Sequence, residues 1–455
     1  MTDIIPEEPV LQSTALPHQK KSLLEADART RRRNAAEVRF RACGIGAICL
    51  AIAALAWLLV SVLSDGAGAF RQTFVSIPVM IDAETVDPQG NRDPAEMRKV
   101  LTLSYEKLLT DALKNYIAVK DIRIEGLDDT DLKSFLSDQA RADLRDRVLA
   151  DPGLVGQDVT LSVLAASRID GYFKGRITSE QAAIDVKTSP AQLALADALQ
   201  AAGALETRFN PAFVTNADAS ETRAEAAGLG VAIVGSAYMM LIVLVLALPI
   251  GVAASIYLEE FAPKNRFTDI IEVNIANLAA VPSIVFGILG LAVFINFAGL
   301  PRSAPVVGGL VLTLMTLPTV IIATRTALKA VPPSIRDAAL GIGASHMQAV
   351  FHHVLPLALP GILTGTIIGL AGALGETAPL LLIGMVAFVQ DIPSAPLTGF
   401  FEPASALPVQ IYNWTNRADP AFFERASGAI IVLLAFLLCM NLLAIWLRRW
   451  FERRW

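Results

Sequence analysis

Six stretches of this chain carry almost no charge, and each is long enough to cross a lipid bilayer. Residues 42–64, 226–258, 273–301, 303–324, 357–385 and 426–447 are apolar runs, all but 357–385 bounded directly by charged residues. Only the fifth is interrupted, by Glu376. About 20 apolar residues in a helix span the ~30 Å of hydrocarbon. Inside lipid a segment must satisfy its own backbone groups, which a helix does. The sequence therefore predicts an all-α membrane protein with six transmembrane helices. Of 455 residues, 54% are hydrophobic and 18% charged, which leaves room for a sizeable water-exposed part.

Basic residues in short flanks set the orientation. Arg31, Arg32, Arg33, Arg39 and Arg41 precede the first span. Alternation places Lys264, Arg266, Arg325, Lys329, Arg336, Arg448, Arg449, Arg453 and Arg454 on that same side. Both termini are expected in the cytoplasm, in a multi-pass protein of a bacterial inner membrane. Residues 1–41 are polar, with Pro6, Pro9 and Pro17, and read as a disordered tail whose arginines anchor topology. Ala67-Gly68-Ala69 looks like a cleavage site, but the leader is about forty residues long and the apolar run exceeds a signal peptide's. Span 42–64 is therefore read as an uncleaved anchor, and 448–455 as a basic cytoplasmic end. Cys43, Cys49 and Cys439 all fall in spans and read as packing residues.

Residues 65–226 form a soluble insert, placed outside by the same alternation. It holds 26 acidic and 18 basic residues, a net of −8. It is long enough to bury its own core. A strand is predicted over 74–79, followed by a helix capped by Asp93 with Pro94 at its first position and running to about Ile117. Further helices over 130–149 and 190–202, and strands near 159–165 and 207–214, make the insert α+β. No metal spacing, nucleophile–base pair or glycine-rich phosphate loop stands out in it. Its acidity suits docking of a partner better than gathering an anion.

Residues 227–447 form the core, with a cytoplasmic loop over 329–356. Val331-Pro332-Pro333 ends the fourth span. Ser334 and Asp337 fit a capping box that starts a short helix at Ile335. Ala338 and Ala339 let a partner surface come close. Gly343 suits the left-handed position that closes the helix. Ser345 and Gln348 fit a second capping box, and Leu355-Pro356 opens the fifth span. His352 and His353 point about 100° apart on a helix with no further ligand nearby, so no metal site is predicted.

In the fifth span, Gly361, Gly365, Gly369 and Gly372 recur at helical spacing, and the next step lands on Glu376. Rows of small residues mark close helix contact, which turns this carboxylate toward the protein. A lone charge in the bilayer costs at least ~2.5 kcal/mol, so Glu376 needs a partner or water. It would also repel a bare anion. Arg325 is the best basic candidate to oppose it. In the third span Pro282 favours a kink, and Ser283 offers a hydroxyl there. Thr313, Thr316 and Thr319 offer others around Pro318, although such hydroxyls commonly bond their own helix.

The spaced set Asp337-Ala338-Ala339, Gly343 and Leu355-Pro356 resembles the EAA loop of ABC importer permeases. Gly375–Leu382 and Val281–Gly287 are similar to permeases of the PstA phosphate-importer family. The resemblance covers 227–447 and implies a type I ABC importer permease core. It implies coupling to the ATPase through Asp337, Ala338, Ala339, Gly343, Leu355 and Pro356, and a translocation path near Glu376, Thr377, Arg325, Ser283, Thr316 and Thr319. The implied partners are an ABC ATPase dimer carrying the ATP, a second PstC-like permease, an extracytoplasmic phosphate-binding protein and membrane lipids. No cofactor on this chain, no bond chemistry and no nucleic acid are implied. The chain has no GxxxxGK[ST] loop, so an ATPase would be a separate subunit. Asp337 stands for the usual Glu, His353 for an aliphatic residue, Gly372 for a common basic one, and the insert is additional. Other readings are a permease for sulfate, molybdate or phosphonate, a membrane sensor of phosphate status, or an ion-coupled transporter.

Overall fold

The computed structural model describes residues 28–182, 188–385, 388–393, 395 and 397–451. The chain divides into one unit through Ser61 and a second from Val62 onward. Helix α1, Ala28–Gly66, supplies the first unit. It begins fourteen residues before the expected span, so residues 28–41 are helical where a disordered tail was expected. Residues 1–27, and Arg453 and Arg454 at the other end, lie outside the described residues.

The second unit opens with the insert, an α+β fold. Strand β1 (Arg71–Met80) is central in a three-stranded antiparallel sheet, ordered β2-β1-β3. Helices α2 (Thr102–Val119) and α3 (Asp138–Ala150) precede β2 (Asp158–Leu164). Then come α4 (Ser167–Phe173), α5 (Pro190–Ala201) and β3 (Leu205–Phe209). Alternate residues of β1, Val75, Ile77 and Val79, are fully buried against Tyr105, Leu113 and Phe135. Pro78 can sit in a central strand because β3 pairs only with Arg71–Val75. Beyond Ser76, whose N–H bonds the Ala204 carbonyl at 2.7 Å, that edge is open, and a missing N–H there discourages strand addition.

Asp93 caps its helix as expected, accepting from the Ala95 N–H at 2.9 Å. That helix ends at Met97, and α2 starts afresh at Thr102, so the expected single helix is two. The segment expected over 130–149 also splits, at Ser134–Ser137, where Ser137 caps α3. The last strand ends at Phe209, and after Pro211 residues Ala212–Thr215 are helical.

The core contains α6 (Gly230–Ile256), α7 (Arg266–Ala279), α8 (Ser283–Gly290) and α9 (Pro305–Lys329). The loop carries α10 (Pro333–Gly341) and α11 (His346–Ala349). Then follow α12 (Leu355–Gly375), α13 (Ala378–Leu382), α14 (Leu407–Thr415) and α15 (Ala421–Phe451). Among the described residues five helices are long and apolar enough to cross a membrane, six spans if one bent pair counts as one. That pair, Arg266–Ala279 and Ser283–Phe297, bends by 100° where one continuous span over 273–301 was expected. Pro282 lacks the N–H to continue the helix and pushes Val281 out of helical geometry. The cysteines are free, and Cys439 faces outward from α15 instead of packing.

No linker separates insert and core. Phe213, Ala219 and Leu229 share one apolar cluster with Leu407, Trp414 and Phe422 across the expected boundary at 226. Trp414 donates to the Asp218 carboxylate at 2.9 Å, and Arg417 pairs with it at 2.6 Å.

Candidate functional site

The loop over 329–356 folds as helix, glycine turn, helix. Its first helix starts two residues earlier than expected, with Pro333 at its first position and no side-chain cap. The Ser334–Asp337 box does not form, because Pro332 and Pro333 already fix the entry geometry. Gly343 has φ +92°. The Ala344 N–H reaches back to the Ala339 carbonyl at 3.1 Å, which closes the helix. The second box forms, with Gln348 N–H on Ser345 Oγ at 3.2 Å and Ser345 N–H on Gln348 Oε1 at 2.9 Å. From His346 the backbone stays helical through a wide π turn at Val350–Val354 into α12. Leu355 and Pro356 therefore lie inside a continuous helical run, not at its start. The chain meets the missing Pro356 N–H with a wider turn instead of a break.

Asp337 and Ala338 are exposed, whereas Ala339 is buried and faces the core. Leu340, Ile342, Met347 and Phe351 are exposed apolar side chains, with Ile342 at 83%. This knob is braced from behind by the end of the first core helix. Arg336 pairs with Glu260 at 2.6 Å and donates to the carbonyls of Leu328 and Val331. His346 Nε2 lies 2.8 Å from the Glu260 carbonyl, and its ring meets Phe261 edge-on. Glu259 holds Arg325 at 3.4 Å and Lys329 at 3.5 Å. Arg325 also pairs with Glu272 at 2.6 Å. Sequence reading missed Glu259, Glu260 and Glu272. The signal was present: acidic residues end one run, and basic residues end others on the same membrane side. Among the described residues no cluster of three metal-ligating side chains occurs, and His352 turns to the Gln348 carbonyl at 3.2 Å.

The glycine row packs α12 against α9. A Cβ on Gly361 would fall 2.7 Å from Ala327 Cβ, and one on Gly369 2.9 Å from Thr316 Cγ2. Gly365 faces Ala323 still more closely, while Gly372 meets nothing within 4 Å. Gly365→Val is therefore expected to destabilise the solubilised chain by about 1–3 kcal/mol by overpacking. Gly372→Ala should be near neutral in the same thermal unfolding measurement.

Glu376 does not continue this row. Helix α12 ends at Gly375, and Glu376 is extended at φ −78°, ψ 126°. Thr377 precedes the new helix α13, where Pro379 is tolerated in the first turn. Glu376 and Thr377 are half-buried. Among the described residues no side chain bonds the Glu376 carboxylate. The Ala327–Gly361 and Ala323–Gly365 contacts put Arg325 level with residue 363 of the antiparallel neighbour. That is roughly 20 Å along the axis from Glu376. Arg325 is a structural ion-pair residue and does not oppose Glu376.

Two of the sequence motifs do come together. A Cβ on Gly287 would fall 2.7 Å from Pro379 Cα, so α8 lies directly on α13. Two helices thus restart side by side, one at Ser283 and one at Ala378. Ser303, at φ +60°, pins the end of α13 by donating to the Gly384 carbonyl at 2.6 Å. Thr313 and Thr316 donate to their own helix, to Gly309 and Leu312, each at 2.7 Å. Thr319 is half-buried at the α9–α12 contact.

Residues 247–455 match the family described as binding-protein-dependent transport system inner membrane component. Residues 27–183 match a domain of unknown function (DUF3333). The chain is 34% identical over 240 residues to a probable ABC transporter permease, YqgI, of Bacillus subtilis, covering 50% of this chain and 81% of that protein. It is 34% identical over 254 residues to the phosphate transport system permease PstA 2 of Mycobacterium bovis, covering 55% and 81%. A solved inward-facing structure of the MetNI methionine ABC transporter is similar at TM-score 0.37 and 16% identity, over 50% of this chain and 95% of that one. By its relatives the chain belongs to the PstA family of ABC-transporter permeases, multi-pass membrane subunits that are not themselves enzymes.

Proposed function

We propose that this chain is a permease subunit of an ATP-driven phosphate importer, coupled to its ATPase through the loop at 329–356. The observation that carries this reading is the exposed apolar knob of Leu340, Ile342, Met347 and Phe351, held rigid by Glu260. A solvent-facing apolar patch on a braced turn suits a partner groove. Because Arg336 and His346 both hold the end of α6, a push on the knob moves helices and not only the loop. An ABC ATPase dimer would supply that push and hold the ATP. A PstC-like second permease and an extracytoplasmic phosphate-binding protein complete the assembly in this reading, with both termini of the chain in the cytoplasm.

In this reading the path runs beside the paired breaks, at Ser283, Glu376 and Thr377. Thr316, Thr319 and Arg325 drop out, since their polar atoms or contacts serve the helix packing. The Glu376 carboxylate is compatible with phosphate for a chemical reason. An ionised carboxylate only accepts hydrogen bonds. Phosphate near neutral pH still carries a proton to donate, whereas sulfate carries none. The same group thus favours one oxyanion over the other.

Purification of the tagged chain in mild detergent tests the reading. An ABC ATPase is expected to co-purify with the natural chain and to be lost with Ile342→Asp, which puts a charge in the knob. Retention of the same ATPase by Ile342→Asp would sink the docking role of the knob. Absence of any ATPase from the natural assembly would sink the whole reading.

A further inference from the structure

The insert meets the core through a buried knot of charge. From the insert come Asp170 of α4, with Lys174 and Arg176 just beyond it. From the first turn of α15 come Glu424 and Arg425, and the connection into α6 adds Glu225. Lys174 lies 2.7 Å from Asp170 and 2.9 Å from Glu424. Arg176 lies 3.2 Å from Asp170 and 2.5 Å from Glu424. Arg425 donates to Gln72 Oε1 of β1 at 2.7 Å and to the carbonyls of Glu225 and Ala227 at 2.7 and 3.1 Å. All six side chains except Arg176 are less than a tenth exposed.

Such a knot adds little that an apolar seam would not. It differs from one in responding to protons, and Glu225 is the point of response. One carboxyl oxygen takes the Ser137 hydroxyl from the cap of α3. The other is buried with no hydrogen-bond partner among the described residues. Arg425 directs its donors to carbonyls and Gln72 instead. Burial pushes the Glu225 carboxyl up to about 7, against the opposing pull of Ser137 and Arg425, while Asp170 pushes the same way as burial.

We propose that the insert is a proton-responsive regulator of the permease, with the Glu225 junction as its latch. This rests on the permease reading above. The sign follows from linkage. A carboxyl raised in the closed latch and ordinary when wetted favours the closed state at low pH. That preference is lost as pH rises through about 7. Between pH 6 and 8 the opening equilibrium shifts about tenfold toward open. The latch holds the entry to α6 and the first turn of α15 together. Helix α15 packs on α12, where Arg448 donates to Thr364 at 3.1 Å, and α12 ends at Glu376.

Hydrogen exchange over residues 220–232 of the purified full chain reads the latch without transport. Corrected for intrinsic pH dependence, it should be about tenfold faster at pH 8 than at pH 6. Glu225→Gln, which cannot ionise, should hold it at the low-pH plateau throughout, about thirtyfold below the natural chain at pH 6. Ser137→Ala, which removes the one hydrogen bond on the carboxylate, should move the midpoint to higher pH. Identical profiles for the natural chain and Glu225→Gln, or a lower midpoint in Ser137→Ala, would overturn the latch. In the assembled transporter, the difference in phosphate uptake between the two chains should grow as pH rises toward 7 and level off above it. That comparison cancels titration of phosphate itself. Equal uptake at every pH would overturn the regulatory role. Lack of uptake in both, with the exchange profiles as expected, would count against phosphate as cargo and support the latch.

Discussion

Replacing Gly343 by leucine is expected to cut phosphate uptake about tenfold while the chain still inserts in the membrane. The glycine holds φ +92°, where an L side chain costs about 1–3 kcal/mol. The substituted turn should relax and swing α10 away from α11, so that ATP hydrolysis no longer drives transport. Nothing lies within 4 Å of the glycine's Cβ position, so the effect comes from the backbone and not from a clash within the chain. Gly343→Ala carries the same backbone cost without the bulk and should behave alike. Harm from leucine with none from alanine would instead place the fault at the partner surface. Normal coupling of hydrolysis to uptake in both variants would refute the turn's role.

Glu376→Gln should lower phosphate uptake by about tenfold or more. A hydrogen bond to a charged group contributes about 1.5–3 kcal/mol, and 1.4 kcal/mol is a factor of ten. The amide keeps the size of the side chain but replaces an acceptor-only group with one that also donates. Sulfate should then compete better for whatever uptake remains. The measurement is labelled phosphate uptake with and without excess sulfate, at matched protein level in the membrane. Near-normal uptake with unchanged sulfate competition would reduce Glu376 to a helix-end residue. Because the carboxylate sits at a chain break and not on the glycine face, loss of uptake should come without loss of thermal stability.

Five of the spans were legible because charge-free runs of that length leave few alternatives in lipid, whereas the expected third is a pair of helices bent by 100°. The Ser345–Gln348 box and the Gly343 turn were legible because their signals are local. The Ser334 box failed for an equally local reason, since two prolines set the helix start before the serine could. Where helices break was not legible. Pro249, Pro318 and Pro360 sit inside continuous helices, whereas the chain breaks at Pro282 and just before Pro379. Proline removes one hydrogen bond in every case, and the neighbouring packing decides whether the axis bends. At Pro379 that neighbour is Gly287, almost a hundred residues earlier. Arg325 shows the same limit, because its partners Glu259 and Glu272 belong to other helices. Composition disclosed the acidity of the insert but not that five of its and the core's charges would be buried together.

The unbroken run from His346 to Gly375 has a mechanical consequence. Its 30 residues make a stiff lever about 45 Å long. A tilt of about 10° at the loop end would sweep the other end through about 8 Å, wider than a phosphate ion. Small angular strokes at one membrane face are thereby magnified into ion-sized clearances near the other.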